Sequence, residues 1–365
     1  MFTRSYTPYV DNFCFDREVD KIFLKSWVVA CTWPEIESAG SFLMTQTPFG
    51  EVIITSSSGK PKAFLNKCLH RGHRLTKLRR GKTENFSCPY HGWQYDGGGI
   101  LKTIPGAAKY YGESAKALQQ SASIQKVNAL RVGDFVFINP AENQIPISDQ
   151  FDENVIAGLE LTRDKIGASM VEMTFELPFN WKLIFENLRD GLHPTFLHKT
   201  SLTNEVHFSF ADTYKGETAK KDLDLIDISN FSADGEHKGL NPSHRDGFEL
   251  IGSENRYLNW LLFPYTHIVS PDGGALISIE NYVPVSPDKT RLELRLHITK
   301  SLGNSSPIPV LRRWLGKVMV VLKEDFDAVI SVQQNARVSN MDQHLGNYES
   351  FNHSVNKWFE KHIYG

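Results

Sequence analysis

The chain has 365 residues, with 40 Lys and Arg against 42 Asp and Glu. That balance excludes a strongly basic nucleic-acid binder, and 22% charged residues with 23 Phe exclude wholesale disorder. No apolar run approaches the roughly 20 residues that span a bilayer, the opening residues lack the apolar core of a secretory leader, and four Cys are no disulfide scaffold; a cytoplasmic protein is expected.

Residues 15–27 read as helical. From Gly40 the texture changes to short β-like runs. Residues 51–55 form a strand, 56–61 carry Ser-rich and Gly-Pro turn chemistry, and 62–66 return as its partner. A second turn lies at 96–99, and residues 134–140 close the β-rich stretch. These runs predict a small antiparallel domain over 28–145, with 1–27 and 146–365 forming a second domain. Residues 181–192 read as a helix. The stretch 200–256 is polar and too long for an ordinary connection, so it reads as a lid or substrate-side excursion. Leu292, Leu294, Leu296 and Ile298 alternate with Arg291, Glu293, Arg295 and His297, the period of a half-buried strand. Residues 275–285 supply its hairpin partner. A long helix is predicted from 309 to about 337. Strands with segregated helices make an α+β fold.

Two clusters carry chemistry. Cys68-Leu69-His70 precedes Cys88-Pro89-Tyr90-His91, so each of two loops offers one thiol and one imidazole. Such donors suit one tetrahedral zinc, or a [2Fe–2S] cluster with two Cys on one iron and two His on the other. Zinc fingers commonly pair Cys with Cys and His with His, whereas two irons need one ligand of each kind from each loop. His73 falls outside the doubled pattern and reads as a hydrogen-bonding loop residue. In the second cluster, Asp190, His193 and His198 lie at a predicted helix end, where Pro194 disfavours helical geometry for His193. On an unbroken helix His193 and His198 would diverge by roughly 140°; a kink can bring them together. Two His with one distant carboxylate make the facial triad of non-haem Fe(II) oxygenases.

At these residues the chain resembles the Rieske non-haem iron ring-hydroxylating oxygenases, in their α (catalytic) subunit. Cys-Leu-His-Arg-Gly-His and Cys-Pro-Tyr-His-Gly-Trp-Gln-Tyr are similar to the Rieske domain, and Glu-Asn-Leu-Arg-Asp-Gly-Leu-His-Pro-Thr-Phe-Leu-His to the iron-binding segment. The resemblance implies an all-β Rieske domain beside a helix-grip (START/Bet v1-like) α+β catalytic domain. It implies a [2Fe–2S] cluster on Cys68, His70, Cys88 and His91, walled from water by Trp93 and Tyr95. It also implies one mononuclear iron on His193, His198 and an acidic residue of the last long helix. There Asp325 is flanked at helical spacing by Val321, Leu322, Val329 and Val332, an inward face, while Asp327 is flanked by Lys323, Glu324, Ser331 and Gln334. Asp325 is therefore the expected ligand, with Gln333 completing the family's Glu-Asp…Gln pattern, and Glu324 and Asp327 are expected as helix-surface charge.

The resemblance further implies a head-to-tail homotrimer in which Asp190 links His91 of one chain to His193 of the next, with Asn187 near the open side of the iron. Electrons would come from NAD(P)H through a separate reductase, with or without a ferredoxin. No Gly-rich dinucleotide fingerprint follows a strand, so neither NAD(P)H nor flavin is expected on this chain. The expected reaction is O2-dependent mono- or dihydroxylation, or oxidative demethylation, of a small organic substrate, aromatic in the first instance. The alternative is a non-catalytic Rieske electron carrier fused to a ligand-binding module.

Overall fold

The fold divides into Leu24–Ile145 and a second unit made of Met1–Phe23 with Pro146–Gly365. The computed structural model describes residues 2–121, 124–202, 231–232, 235–236, 247–252, 256–270, 273–338 and 342–365. Most of the predicted 200–256 excursion lies outside the described residues.

In the first unit, Val28–Thr32, Phe135–Asn139, Lys126–Val132, Lys60–Leu65, Gly50–Ser57, Ser41–Thr47 and Arg80–Lys82 form one antiparallel sheet in that spatial order. The Gly50–Ser57 and Lys60–Leu65 strands pair from Val52↔Leu65 to Ser57↔Lys60. The two-residue turn between them puts Ser58 and Gly59 at positive φ, as a primed hairpin turn requires. Asn85–Ser87, Gln94–Asp96 and Leu101–Thr103 make a smaller sheet. Phe42, Ile53, Phe64, Phe86 and Tyr95 are buried together with Cys68, Cys88 and Trp93, so both thiols sit in the apolar core.

The second unit is built on an antiparallel sheet in the order Ile166–Leu177, Lys289–Thr299, Leu276–Ser286, Thr266–Ser270, Arg256–Leu262 and Phe231–Ser232. The helix Pro307–Val338 packs on its first two strands, and Trp181–Leu188 packs on the third. Asn180 starts the latter helix by accepting the amide of Lys182. Buried Gln333 accepts the Asn180 amide at 2.7 Å, which ties the start of the short helix to the long one.

Three expectations need correction here. The 181–192 helix ends at Leu188. The chain breaks over residues 189–192, before His193, and His193–Leu197 forms a separate turn of helix with Pro194 at its start; proline is tolerated there because a first-turn N–H has no helical partner. The expected half-buried strand is buried on both faces from Leu292 to Ile298, since Arg295 pairs with Glu293 at 3.0 Å and Glu172 at 3.3 Å instead of with water. The first helix covers only Asn12–Glu18, continuing as a wider turn through Phe23.

The N-terminal segment belongs structurally to the second unit. Arg4 makes a bidentate pair with Glu186 at 2.9 and 2.8 Å, and Tyr9 donates to the same carboxylate at 2.6 Å. Glu18 takes Trp181 Nε1 at 2.7 Å and pairs with Lys182, both ions being buried. Bonds of this kind leave no lone charge in the interior, and they hold the Trp181–Leu188 helix from its outer side.

Candidate metal centres

The two Cys/His loops of the first unit are built alike. Cys68 N donates to His73 O at 2.8 Å and Gly72 N to Cys68 O at 2.9 Å; Cys88 N donates to Trp93 O at 2.8 Å and Gly92 N to Cys88 O at 2.9 Å. Gly72 and Gly92 occupy the same left-handed position, φ 75° and 74°, which L side chains rarely adopt. Each loop thus turns back on itself with its thiol inward and its imidazole outward. His70 and His91 face each other with Nδ1 atoms 3.1 Å apart and rings edge to face. Two imidazole nitrogens 3.1 Å apart, in loops that also carry two buried thiols, are a donor set suited to metal.

Trp93 and Tyr95 are both buried, as a wall against water demands. Trp93 stacks on His70 at 5.3 Å with an interplanar angle of 10°, and Tyr111 accepts its indole N–H at 3.1 Å. Tyr95 OH lies 3.2 Å from Cys68 Sγ and accepts the Leu69 amide at 3.1 Å. Burial pushes the Cys68 thiol up, so it gives up its proton only to something that replaces the proton's charge. His73 is a hydrogen-bonding loop residue, with Nδ1 2.7 Å from Arg74 O. Asn66 was not legible as functional, yet it frames the first loop. Its amide donates to Thr76 O and Glu51, and its oxygen accepts Leu75 N and Thr76 N.

The second centre lies where the broken helix meets the long one. One ligand atom each from His193, His198 and Asp325 falls within 4.8 Å of the others. Asp325 Oδ1 is 3.4 Å from His193 Nε2 and 3.2 Å from His198 Nε2. Asp325 is only 3% exposed. Burial opposes its charge, but the two imidazoles outweigh this and hold the carboxyl down at about 2. A buried carboxylate with two imidazole nitrogens turned toward it fits a divalent cation. Asp327 instead pairs with Lys323 in solvent.

The outer nitrogens are also held. His193 Nδ1 meets the backbone oxygen of Asp190 at 2.7 Å. The bond expected from the Asp190 carboxylate to that imidazole is replaced by one from the Asp190 backbone oxygen, while Oδ1 accepts the amides of Leu192, 2.8 Å, and His193, 3.4 Å. Asn187 was expected near the open side; its amide donates to Asp325 Oδ1 at 2.8 Å, so it orients the carboxylate. Glu324 was expected as surface charge. The structure corrects this: its carboxylate is 2.7 Å from His198 Nδ1 and accepts Ser201 Oγ, since the break before His193 turns His198 toward the long helix.

Residues 26–126 match the Rieske [2Fe-2S] domain, and residues 167–365 match the ring hydroxylating alpha subunit (catalytic domain), the latter over more than half of the chain. The chain belongs to the ring-hydroxylating α-subunit family. Its match is to a catalytic domain, which counts against the electron-carrier alternative. Membership implies a [2Fe–2S] cluster and a mononuclear iron, and the two donor sets fit them. Among relatives, the chain is 29% identical over 206 residues to the terephthalate 1,2-dioxygenase terminal oxygenase component subunit alpha 2 of Comamonas sp., covering 54% of this chain and 49% of that one. It is 30% identical over 223 residues to the glycine betaine monooxygenase oxygenase subunit of Pseudomonas aeruginosa, covering 59% and 49%. The chain thus aligns with about half the length of these relatives. A solved quaternary ammonium Rieske monooxygenase, CntA, shares the fold with a TM-score of 0.74 at 19% identity, over 98% of this chain and 95% of that one. Among the described residues, no helix is long and apolar enough to cross a membrane.

Proposed function

We propose that this α subunit is the terminal oxygenase of a multicomponent system, using O2 and electrons from a separate NAD(P)H-dependent reductase, with or without a ferredoxin, to hydroxylate or oxidatively demethylate a small organic substrate. The observation that carries the reading is the convergence of His193, His198 and Asp325 on one point, in a chain that also holds the paired Cys/His loops. A mononuclear iron held there supplies O2 activation, and a [2Fe–2S] cluster supplies electrons singly. The chain's own contribution is geometric and electrostatic. Asp190 O and Glu324 fix the outer nitrogens of the two imidazoles, leaving both Nε2 lone pairs for metal. Asn187 fixes the carboxylate oxygen that faces them. The relatives' names include an aromatic acid and a quaternary amine, and what these share is being small and organic.

The assembly we infer is a homotrimer in which His91 of one copy approaches Asp190 of the next. His91 is exposed and flanked by exposed Tyr90, whose ring carries the Arg71 guanidinium at 5.7 Å. Asp190 and Glu349 are close enough to repel, and they stand beside exposed Leu192 and Tyr348. A basic, aromatic edge and an acidic, partly apolar one are complementary. With Oδ1 committed to its own turn, Oδ2 of Asp190 is the atom that would reach the neighbouring imidazole. The experiment is a substrate screen with anaerobically purified protein and a surrogate reductase, scored by substrate-dependent O2 uptake with product formation. Iron-replete protein that consumes no O2 with any substrate class would overturn the oxygenase reading.

A further inference from the structure

Tyr9 belongs to neither metal motif, yet it touches both helices that frame the mononuclear centre. It ends the short turn Thr7–Tyr9 and is 1% exposed. Its hydroxyl donates to Glu186 Oε1 at 2.6 Å, near the end of the Trp181–Leu188 helix. Its main-chain oxygen accepts Asn180 Nδ2 at 3.5 Å, at the start of that helix, and Gln333 Nε2 at 3.2 Å from the long helix that carries Asp325. Its ring lies under two cations, Arg4 at 4.9 Å and Lys182 at 5.4 Å, each already paired with a carboxylate, Glu186 and Glu18 respectively. A phenylalanine ring would offer those cations a similar face. What the hydroxyl alone adds is the bond to Glu186.

That bond bears on the iron site through helix rotation. Lys182 and Glu186 are four residues apart and share one face of the helix, which the N-terminal segment holds. Asn187 follows about 100° further round, and its Nδ2 donates to Asp325 Oδ1 at 2.8 Å. Side chains reach about 5–6 Å from a helix axis, so a turn of about 10° carries the Asn187 amide by about 1 Å. A shift of that size takes a 2.8 Å contact out of hydrogen-bonding range. Arg4 grips Glu186 through a long, rotamer-rich side chain, whereas Tyr9 does so from a rigid ring. We propose that Tyr9 is a positioning residue for the mononuclear centre: its hydroxyl, acting through Glu186, fixes the rotation of the Trp181–Leu188 helix and with it the Asn187–Asp325 bond; this rests on the reading of His193, His198 and Asp325 as iron ligands.

The first test is a double-mutant cycle on iron affinity. Fe2+ is titrated anaerobically, against a competing chelator, into full-length protein stripped of its mononuclear iron but retaining its cluster. Tyr9→Phe should weaken Fe2+ binding about tenfold, the lower end of what residues behind a ligand typically cost. In an Asn187→Ala background the same substitution should cost less than about twofold, because the path runs through Asn187. The nitric oxide adduct of the ferrous site gives a high-spin EPR signal whose rhombicity reports ligand orientation, and Tyr9→Phe should shift it in the direction that Asn187→Ala does. A merely structural hydroxyl would lower Tm and leave affinity and signal as in wild type. That result, or an equal cost in both backgrounds, would overturn the proposal.

The second test needs no variant, so it stands even if Tyr9→Phe fails to fold. Coupling is reciprocal: if Tyr9 tightens iron, iron must tighten the Tyr9 segment by the same factor. The amides of Val10 and Asp11 both donate to Thr7 O at 3.1 Å. Their hydrogen exchange in wild type should slow about tenfold when Fe2+ is added to protein lacking the mononuclear iron, and by more than that of the Glu153–Glu160 helix in the same unit, which serves as the reference for general stabilisation. Exchange that slows no more than at the reference helix would overturn the proposal. Wild-type protein that takes up no mononuclear iron would overturn the iron-site reading and the proposal together. Iron bound by wild type with an affinity indifferent to the Tyr9 hydroxyl would remove the positioning role alone.

Discussion

His198 is gripped at both nitrogens by consecutive residues of one helix: Nδ1 is 2.7 Å from Glu324 Oε2, and Nε2 is 3.2 Å from Asp325 Oδ1. A carboxylate behind a ligating imidazole fixes its tautomer and raises its basicity. Glu324→Ala should therefore weaken mononuclear iron binding by about 10- to 100-fold while leaving the cluster's visible spectrum unchanged. Iron retained per chain against a graded chelator series measures this. Wild-type retention would show that Glu324 does no more than anchor Ser201.

Asp325→Ala should lose the mononuclear iron and all turnover, with the cluster spectrum intact, because it removes the one carboxylate within reach of both imidazoles among the described residues. Asp327→Ala should be close to neutral. Its partner Lys323 lies four residues away and both side chains are largely exposed, where such pairs are worth about 0.5 kcal/mol or less. Iron analysis of the two variants side by side decides the assignment. Iron lost from Asp327→Ala would reverse it.

What the sequence made legible were contiguous or strictly periodic features. The two Cys/His loops are local motifs, and Asp325 lies on a helix stripe with buried Leu322, Phe326, Val329 and Gln333. Glu324 was misread because a helix wheel built on its own neighbours puts it at the margin of that stripe, and its partner His198 is 126 residues away. Glu293, Arg295 and His297 were misread for the opposite reason. Alternating charge ordinarily means solvent, but here Arg295 is paired with two carboxylates within the sheet, which makes burial tolerable. The end of the Trp181–Leu188 helix was overrun by four residues, since nothing in Arg-Asp-Gly-Leu forbids another turn except the glycine.

In iron-free protein, the proton on His198 should stand in for the metal. Burial pushes that imidazole's pKa down, but Asp325 and Glu324 outweigh it and raise it above the ordinary 6.5. A raised value contributes stability that is complete below about 6.5 and is lost as pH rises through the folded-state value. Asp325, held at about 2, contributes above roughly 3.9, the ordinary Asp value, and loses that contribution as pH falls toward 2. Chelator-treated protein should thus melt highest between about pH 4 and 6.5, and His198→Gln should flatten the alkaline limb. A Tm that rises steadily from pH 6 to 8 in the iron-free protein would contradict the sign.

Asp190→Asn should separate electron transfer from metal binding. The amide keeps an oxygen for the Leu192 and His193 N–H groups, and His193 Nδ1 depends on the main chain. Iron content and fold should therefore survive. The negative charge proposed to meet His91 of a neighbouring copy is lost, and product formation should fall by a factor on the order of 100, with normal reduction of the cluster by the reductase. Single-turnover product yield from pre-reduced protein is the measurement. A wild-type yield would take Asp190 out of the electron path.

Tyr95→Phe tests the wall around the thiols. The Leu69 amide already donates to the Tyr95 oxygen, so the phenolic hydrogen is the one available to Cys68 Sγ at 3.2 Å. A hydrogen bond to a cluster sulfur stabilises the reduced, more negative state, and such bonds are among the factors that set the potential. Phenylalanine removes the donor with almost no change of volume in a core that includes Phe64, Phe86 and Cys88. The cluster should assemble, because all four donors remain. Its midpoint potential should fall by about 40 mV, which is what a hydrogen bond of ~1 kcal/mol amounts to in a one-electron couple. Reduction by a low-potential donor should stay complete while reduction by a donor poised near the wild-type potential becomes partial. Spectroelectrochemical titration of the purified variant gives the number directly. A potential unchanged within error would mean that the hydroxyl serves the Leu69 amide alone and that the cluster's tuning lies in its imidazoles.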